Sequence, residues 1–174
     1  MLFHTGQFRT IRRFYSIHRD ASHAAIELGP QQPWFGRAFP QRLVLGHAGL
    51  NDTAAHCHQG GVPQYSLLPA SVGRIVFNEP VMSGRFLIGT TERSISEQHV
   101  TIDVEIVDEA GQLVQRWESL MFRRVLGSDF RGPWPLPLLN AYIEHSVKNF
   151  LGEEAFRASP TPQAQEAAGR RRRR

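Results

Sequence analysis

A strict alternation of apolar and polar residues in the second half of the chain constrains the fold more than any other feature. Its apolar positions, all within residues 99–107, are Val100, Ile102, Val104 and Ile106. Successive side chains of a strand point to opposite faces, so a period of two predicts a strand with one buried face and one solvated face. An Asp-Glu-Ala-Gly turn follows, and residues 112–125 continue as a second strand. The pair predicts a β-hairpin.

Weaker patterns elsewhere predict four more strands and two helices, so the fold class is α+β. Further strands are predicted over residues 8–17, 21–28, 72–77 and 85–91. Residues 45–59 mix small and polar side chains before Gly60-Gly61, which predicts a short helix with Asn51 or Asp52 close to its N-terminus. Residues 137–151 have apolar side chains at helical spacing: Leu139, Tyr142, Ile143, Val147 and Phe150. We expect this second helix to be amphipathic and to dock on the body of the protein.

The charge pattern argues against a basic domain face built for nucleic acid. The chain has 20 Lys and Arg against 16 Asp and Glu, but five of the positive charges are consecutive arginines at residues 170–174. Without them 15 basic residues face 16 acidic ones, so the body is nearly neutral. Composition predicts one domain over residues 1–152 and a disordered tail over residues 153–174. We expect the arginine run to bind polyanions only nonspecifically.

Cysteine content and hydropathy bear on the compartment. Cys57 is the single cysteine, so an internal disulfide is excluded and a reducing cytoplasm is the simplest expectation. No stretch reaches the roughly 18 to 20 apolar residues that a membrane span needs, so we expect no membrane partner.

The most specific motif lies in the first helix. Residues 45–59 read Leu-Gly-His-Ala-Gly-Leu-Asn-Asp-Thr-Ala-Ala-His-Cys-His-Gln, in which His56 follows Asp52 by four residues. This stretch resembles the central helix of the C-terminal hotdog in polyketide synthase dehydratase domains, where Gln or His stands four residues after an Asp. The sequence Leu67-Leu68-Pro69, followed by Arg74 and Ile75, resembles the Leu-Pro strand that comes after that helix.

Other segments extend the resemblance over roughly residues 2–150. Residues 2–8 resemble the opening of the same hotdog, and residues 117–124 resemble its closing strand. The Gly-Pro-Trp-Pro sequence at residues 132–135, with the helix after it, resembles the end of the dehydratase region in iterative enediyne-type synthases. The implied fold is a single hotdog, a curved antiparallel sheet wrapped round a central helix, with a C-terminal helix and a tail. Two strands, a helix and four strands fit that order.

The resemblance also implies an activity. A dehydratase of this family removes water from a 3-hydroxyacyl thioester to give the 2-enoyl thioester, with the acyl chain carried on the phosphopantetheine of an acyl carrier protein. Asp52 would be the acid that protonates the leaving hydroxyl and His56 its partner. Asn51, Leu67, Leu68 and Pro69 would contact the substrate. No other cofactor is implied.

The chain departs from the family in one respect. A complete dehydratase domain holds two hotdogs, and the first carries a His-x-x-x-Gly-x-x-x-x-Pro motif that none of the eight histidines here fits. The resemblance therefore implies that the catalytic base comes from a separate His-bearing hotdog. A homodimer in which His47 or His58 takes that role is the alternative.

Other interpretations of the same residues remain open. Asp52 could be a helix N-cap and His56 a buried structural histidine. The cluster of His47, His56, Cys57 and His58 lacks the second ligand pair of a zinc site, so we expect no metal. The whole chain could be a non-catalytic acyl-binding or scaffolding hotdog. It could also be a hotdog thioesterase, although the Leu-Pro strand and the closing strand argue against that activity.

Overall fold

A computed structural model of the chain describes residues 5–30, 34, 43–78, 80–125 and 133–151. They form strands β1 (Ile11–Ile17), β2 (Ala21–Leu28), β3 (Ser66–Ser71), β4 (Arg74–Phe77), β5 (Gly84–Ile95), β6 (His99–Asp108) and β7 (Leu113–Val125). The helices are α1 (Ala48–His56) and α2 (Leu136–Leu151), with 3₁₀ helices at Gly6–Phe8 and Cys57–Gly60. The predicted tail at residues 153–174 lies outside the described residues. In the described segments no helix combines the length and the apolar character that crossing a membrane requires.

The strands form one antiparallel sheet in the order β1-β2-β5-β6-β7-β3, with β4 also paired to β7. The β6–β7 hairpin is confirmed, and β2 has the bounds that the sequence predicted. Five strands follow α1 where the strand count predicted four, because β3 and β4 lie one after the other along the same edge of β7. Ser119 separates them with a left-handed backbone (φ 55°), and the N–H of Gly73 bonds to the carbonyls of Glu118 and Ser119 there.

The concave face of the sheet buries α1. All four apolar positions of the alternation in β6 are fully buried, as predicted. They pack in one cluster with Ala24, Ile26 and Leu28 of β2 and with Leu50, Ala54 and Cys57 from α1 and the turn after it. Ala54 is fully buried, so its small side chain lets the helix lie close to the sheet. The chain therefore has the hotdog fold that the sequence predicted.

Helix α2 docks by a different face from the apolar one that the sequence predicted. Ala141 and His145 are buried, whereas Ile143 is 47% and Phe150 89% exposed. Part of the docking is polar, because the turn between β1 and β2 offers backbone groups that need partners. Glu144 Oε2 accepts a hydrogen bond from the N–H of Arg19 at 2.9 Å.

Two buried histidines lie where α2 meets the β1–β2 turn and the second 3₁₀ helix. His58 is fully buried, and its Nδ1 lies 3.0 Å from Thr90 Oγ1. His145 is 2% exposed and lies against the backbone of Gly61 and Arg19. Burial lowers the pKa of each to about 4, and the positive charge of Arg19 adds to the effect at His145. Both rings are therefore neutral at pH 7.

Acidification should weaken the fold through these two rings. The unfolded chain binds protons at histidine near pH 6.5, whereas the folded chain does so only near pH 4. The stability present above pH 6.5 is thus lost as the pH falls from 6.5 toward 4, by about 2 to 3 kcal/mol for a single histidine. Urea denaturation between pH 7 and pH 4 measures this loss. His145→Gln should flatten the curve, and the exposed control His23→Gln should leave it unchanged; parallel curves for all three proteins would contradict this assignment.

Candidate active site

Asp52 does not cap α1. The N-cap is His47, whose Nδ1 accepts a hydrogen bond from the N–H of Gly49 at 3.1 Å. Asp52 is the fifth residue of the helix, which excludes the capping role that the sequence left open. The helix begins earlier than the predicted cap, because His47 takes the capping role that was expected of Asn51 or Asp52.

Asp52 and His56 form a pair on one side of α1. One helical turn separates them, and His56 Nε2 lies 3.6 Å from Asp52 Oδ1. Their side chains are 26% and 18% exposed, so both are accessible yet largely shielded. The Oδ2 atom of Asp52 is shut off from solvent. A partly dehydrated carboxyl group beside an imidazole can hold and transfer a proton.

A cavity of about 180 Å³ opens over this pair. Its lining combines the helix with the segment that enters β1: Phe8, Arg9, Thr10, Ile11, Asp52, Thr53 and His56. The cavity is therefore bounded on one side by the predicted acid and its partner.

Two close contacts hold the entering segment against α1. Gly49 lies against the carbonyl oxygen of Gln7, and a Cβ at this position would fall deep inside that oxygen's van der Waals radius. Thr10, three residues after Gln7, forms a hydrogen bond with Thr53 through their hydroxyl groups. Thr53 Oγ1 also donates to the carbonyl of Gly49 at 2.8 Å. The position of the cavity thus depends on a glycine and on two buried threonines.

The side chain of Asn51 forms hydrogen bonds within the protein. Its side chain donates to the carbonyl of Leu45 at 3.0 Å and accepts from Gln115 Nε2 at 3.1 Å. Gln115 is fully buried and in turn accepts from Trp117 Nε1 at 3.2 Å. This chain of amides links the turn of α1 that carries Asp52 to β7. Substrate contact by Asn51 remains a prediction.

The structure does not bring the Leu-Pro strand to this cavity. Leu67 is buried in the core, and its neighbour Leu68 is 58% exposed on the opposite face of β3. Pro69 follows as an exposed residue of the same strand. None of the three lines the cavity over Asp52.

Where the structure describes them, the remaining histidines and the cysteine do not form a metal site. The thiol of Cys57 is buried against Ser22, and burial raises its pKa to about 12. His58 next to it is buried in the core, where its ring contacts Thr90. Within the described ranges no group of three or more His, Cys, Asp or Glu is placed to hold a metal ion.

Sequence reasoning missed the residues that surround the pair. Arg9 and Thr10 reach the cavity only because the segment before β1 folds back on α1, and no local pattern signals that approach. Gln115 could have been noticed as an amide within an otherwise buried stretch of β7. Its partner Asn51 was predicted to cap the helix or to contact the substrate, and not to bond to Gln115.

The sequence model of one protein family, the polyketide synthase dehydratase N-terminal domain, matches residues 1–129. The chain belongs to the polyketide synthase dehydratase family. This family model describes the N-terminal domain of the dehydratase, whereas the sequence predicted the C-terminal, Asp-bearing half. That assignment and the likeness to enediyne-type synthases remain predictions. No curated protein sequence matches the chain significantly.

Solved structures share the fold. The dehydratase domain from the CurJ module of curacin polyketide synthase is 16% identical over 70% of this chain and 44% of that one, with a TM-score of 0.56. The dehydratase domain of RzxB from Pseudomonas fluorescens is 19% identical over 68% and 42%, with a TM-score of 0.52. The chain thus spans less than half the length of these domains. The protein smu.793 from Streptococcus mutans UA159, solved with acetyl CoA, is 9% identical over 71% and 95%, with a TM-score of 0.52.

Adding a methyl group at Gly49 should displace the segment that closes the cavity. Alanine favours a helix over glycine by up to about 1 kcal/mol, but the clash with a backbone oxygen outweighs that gain. We expect Gly49→Ala to lower the free energy of unfolding by about 1 to 3 kcal/mol in urea denaturation. Gly60→Ala is the matched control, since its Cβ would meet only the side chains of Ile17 and Leu138, at 3.4 Å or more. Equal stabilities of the two variants would contradict the close approach.

Proposed function

We propose that this chain is one half of a dehydratase that converts 3-hydroxyacyl thioesters on an acyl carrier protein to 2-enoyl thioesters. The observation that carries the proposal is the Asp52–His56 pair beneath a cavity on the central helix. Membership of the dehydratase family supplies the reaction class.

The chemistry assigns a role to each member of the pair. Dehydration breaks the Cα–H bond, and its electron pair forms the new double bond as the Cβ–O bond breaks. Hydroxide is a poor leaving group, so an acid must protonate it as it departs as water. Asp52 is that acid. His56, within 3.6 Å, holds the carboxyl group in position and exchanges protons with it between turnovers.

The base that takes the α-proton comes from a partner. His47 uses Nδ1 as an acceptor for the helix cap, so its Nε2 carries the proton and neither nitrogen is free to take the α-proton. Burial also lowers the pKa of His47. His58 is fully buried in the core. These contacts favour a separate His-bearing hotdog over a homodimer that relies on either ring.

The thioester needs no further cofactor. Its carbonyl acidifies the α-proton, and the phosphopantetheine arm arrives with the carrier protein. Leu67, Leu68 and Pro69 lie away from the Asp52 cavity, so any contact they make with the substrate would involve the acyl chain beyond the reacting carbons.

A non-catalytic acyl-binding or scaffolding hotdog is the second candidate. One observation favours it: among the described residues, no histidine other than His56 lines the cavity over Asp52. In that case the chain would bind the acyl chain and release it unchanged.

Asp52→Asn tests the first proposal. The protein is incubated with a 3-hydroxyacyl thioester, alone and with a His-bearing dehydratase hotdog, and the enoyl product is followed by mass spectrometry. We expect product only in the mixture and a loss of about 10² to 10⁴-fold in its rate with Asp52→Asn, because general acid catalysis contributes that much.

The matched control is Glu109→Gln, which neutralises an exposed carboxylate at the β6–β7 turn, far along the chain from α1. It should retain the rate of the unmodified protein. Activity that survives in Asp52→Asn would overturn the role of Asp52, and absence of product in every mixture would favour the binding candidate.

A further inference from the structure

Helix α2 carries an apolar stripe on the side turned away from the body of the protein. Docking uses the opposite side, where Ala141 and His145 are buried and Glu144 bonds to the backbone of Arg19. The stripe consists of five residues at intervals of three, four, four and three: Leu136, Leu139, Ile143, Val147 and Phe150. Leu139 is half-buried and the other four are exposed. The described part of the chain therefore leaves the stripe largely uncovered.

The spacing of the stripe fits a second helix. Four intervals cover the 14 positions from Leu136 to Phe150, an average of 3.5 residues. That average is the repeat at which apolar side chains of paired helices interlock. At about 100° per residue the five positions span about 80° of the helix surface, which is narrower than the stripe of a helix that faces a protein core. The stripe is thus typical of a seam between two helices.

The stripe is also symmetric about Ile143. Leu139 and Val147 lie four residues before and after it, and Leu136 and Phe150 lie seven residues before and after it. A second copy of α2 that runs antiparallel, with a two-fold axis at Ile143, pairs these positions with each other: Leu136 with Phe150 and Leu139 with Val147. Such reciprocal contacts are characteristic of a two-fold interface between copies of one chain.

The charges of α2 favour a helix pair over a lipid surface. Glu144 and Lys148 are both turned toward the docked side, where Glu144 bonds to Arg19 and Lys148 lies close enough to His145 to lower its pKa. The exposed residues that flank the stripe are uncharged: Asn140, Tyr142 and Ser146. Two copies can therefore meet without like-charge repulsion, whereas helices that lie on anionic membranes are usually rich in Lys and Arg.

We infer that the exposed stripe of α2 binds the same stripe on a second copy of this chain, in an antiparallel helix pair centred on Ile143. The helix has 16 residues and is about 24 Å long, so the patch is smaller than the roughly 800 Å² per partner of a standard interface. We therefore expect a dimer that dissociates on dilution. The inference does not rest on the proposed function, because the residues that line the cavity over Asp52 come from outside α2.

Sedimentation of the full chain over a range of concentrations tests the inference. We expect the protein to change from monomer to dimer between about 1 µM and 1 mM. Ile143→Glu should raise the dissociation constant by about 100-fold or more, because two carboxylates would face each other across the two-fold axis. The matched control is Leu87→Glu, which makes the same kind of change on β5 at nearly the same exposure, 46% against 47%. It should dimerise like the unmodified protein.

Disulfide formation tests the arrangement of the pair without weakening it by a charge. Ile143→Cys should form an intermolecular disulfide on mild oxidation, because position 143 meets its own copy. Leu139→Cys alone and Val147→Cys alone should not, since each lies about 12 Å along the axis from its own copy. A mixture of these two variants should form the mixed disulfide. The native Cys57 is fully buried and does not compete.

Three results would overturn the inference. The first is a protein that stays monomeric at every concentration, or a dimer that Ile143→Glu leaves intact. The second is a disulfide between two copies of Leu139→Cys, which would indicate a parallel pair. The third is binding of the monomer to phosphatidylserine vesicles that Ile143→Glu abolishes, which would assign the stripe to a lipid surface.

Discussion

Burial of α1 in the concave face of the sheet is the constraint on which the rest of the structure depends. Leu50 and Ala54 are fully buried there, and they fix which side of the helix faces the sheet. Asp52 and His56 then lie on a side that the core does not cover. The hydrophobic effect that folds the chain therefore also decides which residues can meet a substrate.

A layer of polar contacts refines that placement. The Asn51–Gln115–Trp117 chain links the helix to β7, and the close approach at Gly49 brings the β1 entry segment over the pair. Each contact is worth only about 1 kcal/mol, but buried polar groups left unpaired cost more than that, so the arrangement is specific. It holds the residues that line the cavity over Asp52.

The sequence predicted what depends on local pattern. The alternation in β6 and the hairpin were predicted from apolar spacing and turn residues, and the position of α1 from small residues that end at Gly60-Gly61. The Asp52–His56 pair was predicted from the family resemblance and from helical spacing. The cap at His47, the split of β3 from β4 and the face by which α2 docks depend on tertiary contacts. Arg9 and Gln115 belong to the same group, because Arg9 lies 43 residues from Asp52 and Gln115 lies 64 residues from Asn51.

Under the proposed function, this chain supplies the acid Asp52 and takes its base from a partner hotdog. The most direct test follows the β-oxygen itself. A 3-hydroxyacyl thioester labelled with ¹⁸O at the hydroxyl is incubated with this protein and a His-bearing hotdog, and label in released water is measured. We expect labelled water to be released only when both proteins are present, and this release to be lost with Asp52→Asn. Release that is unchanged in Asp52→Asn would contradict it.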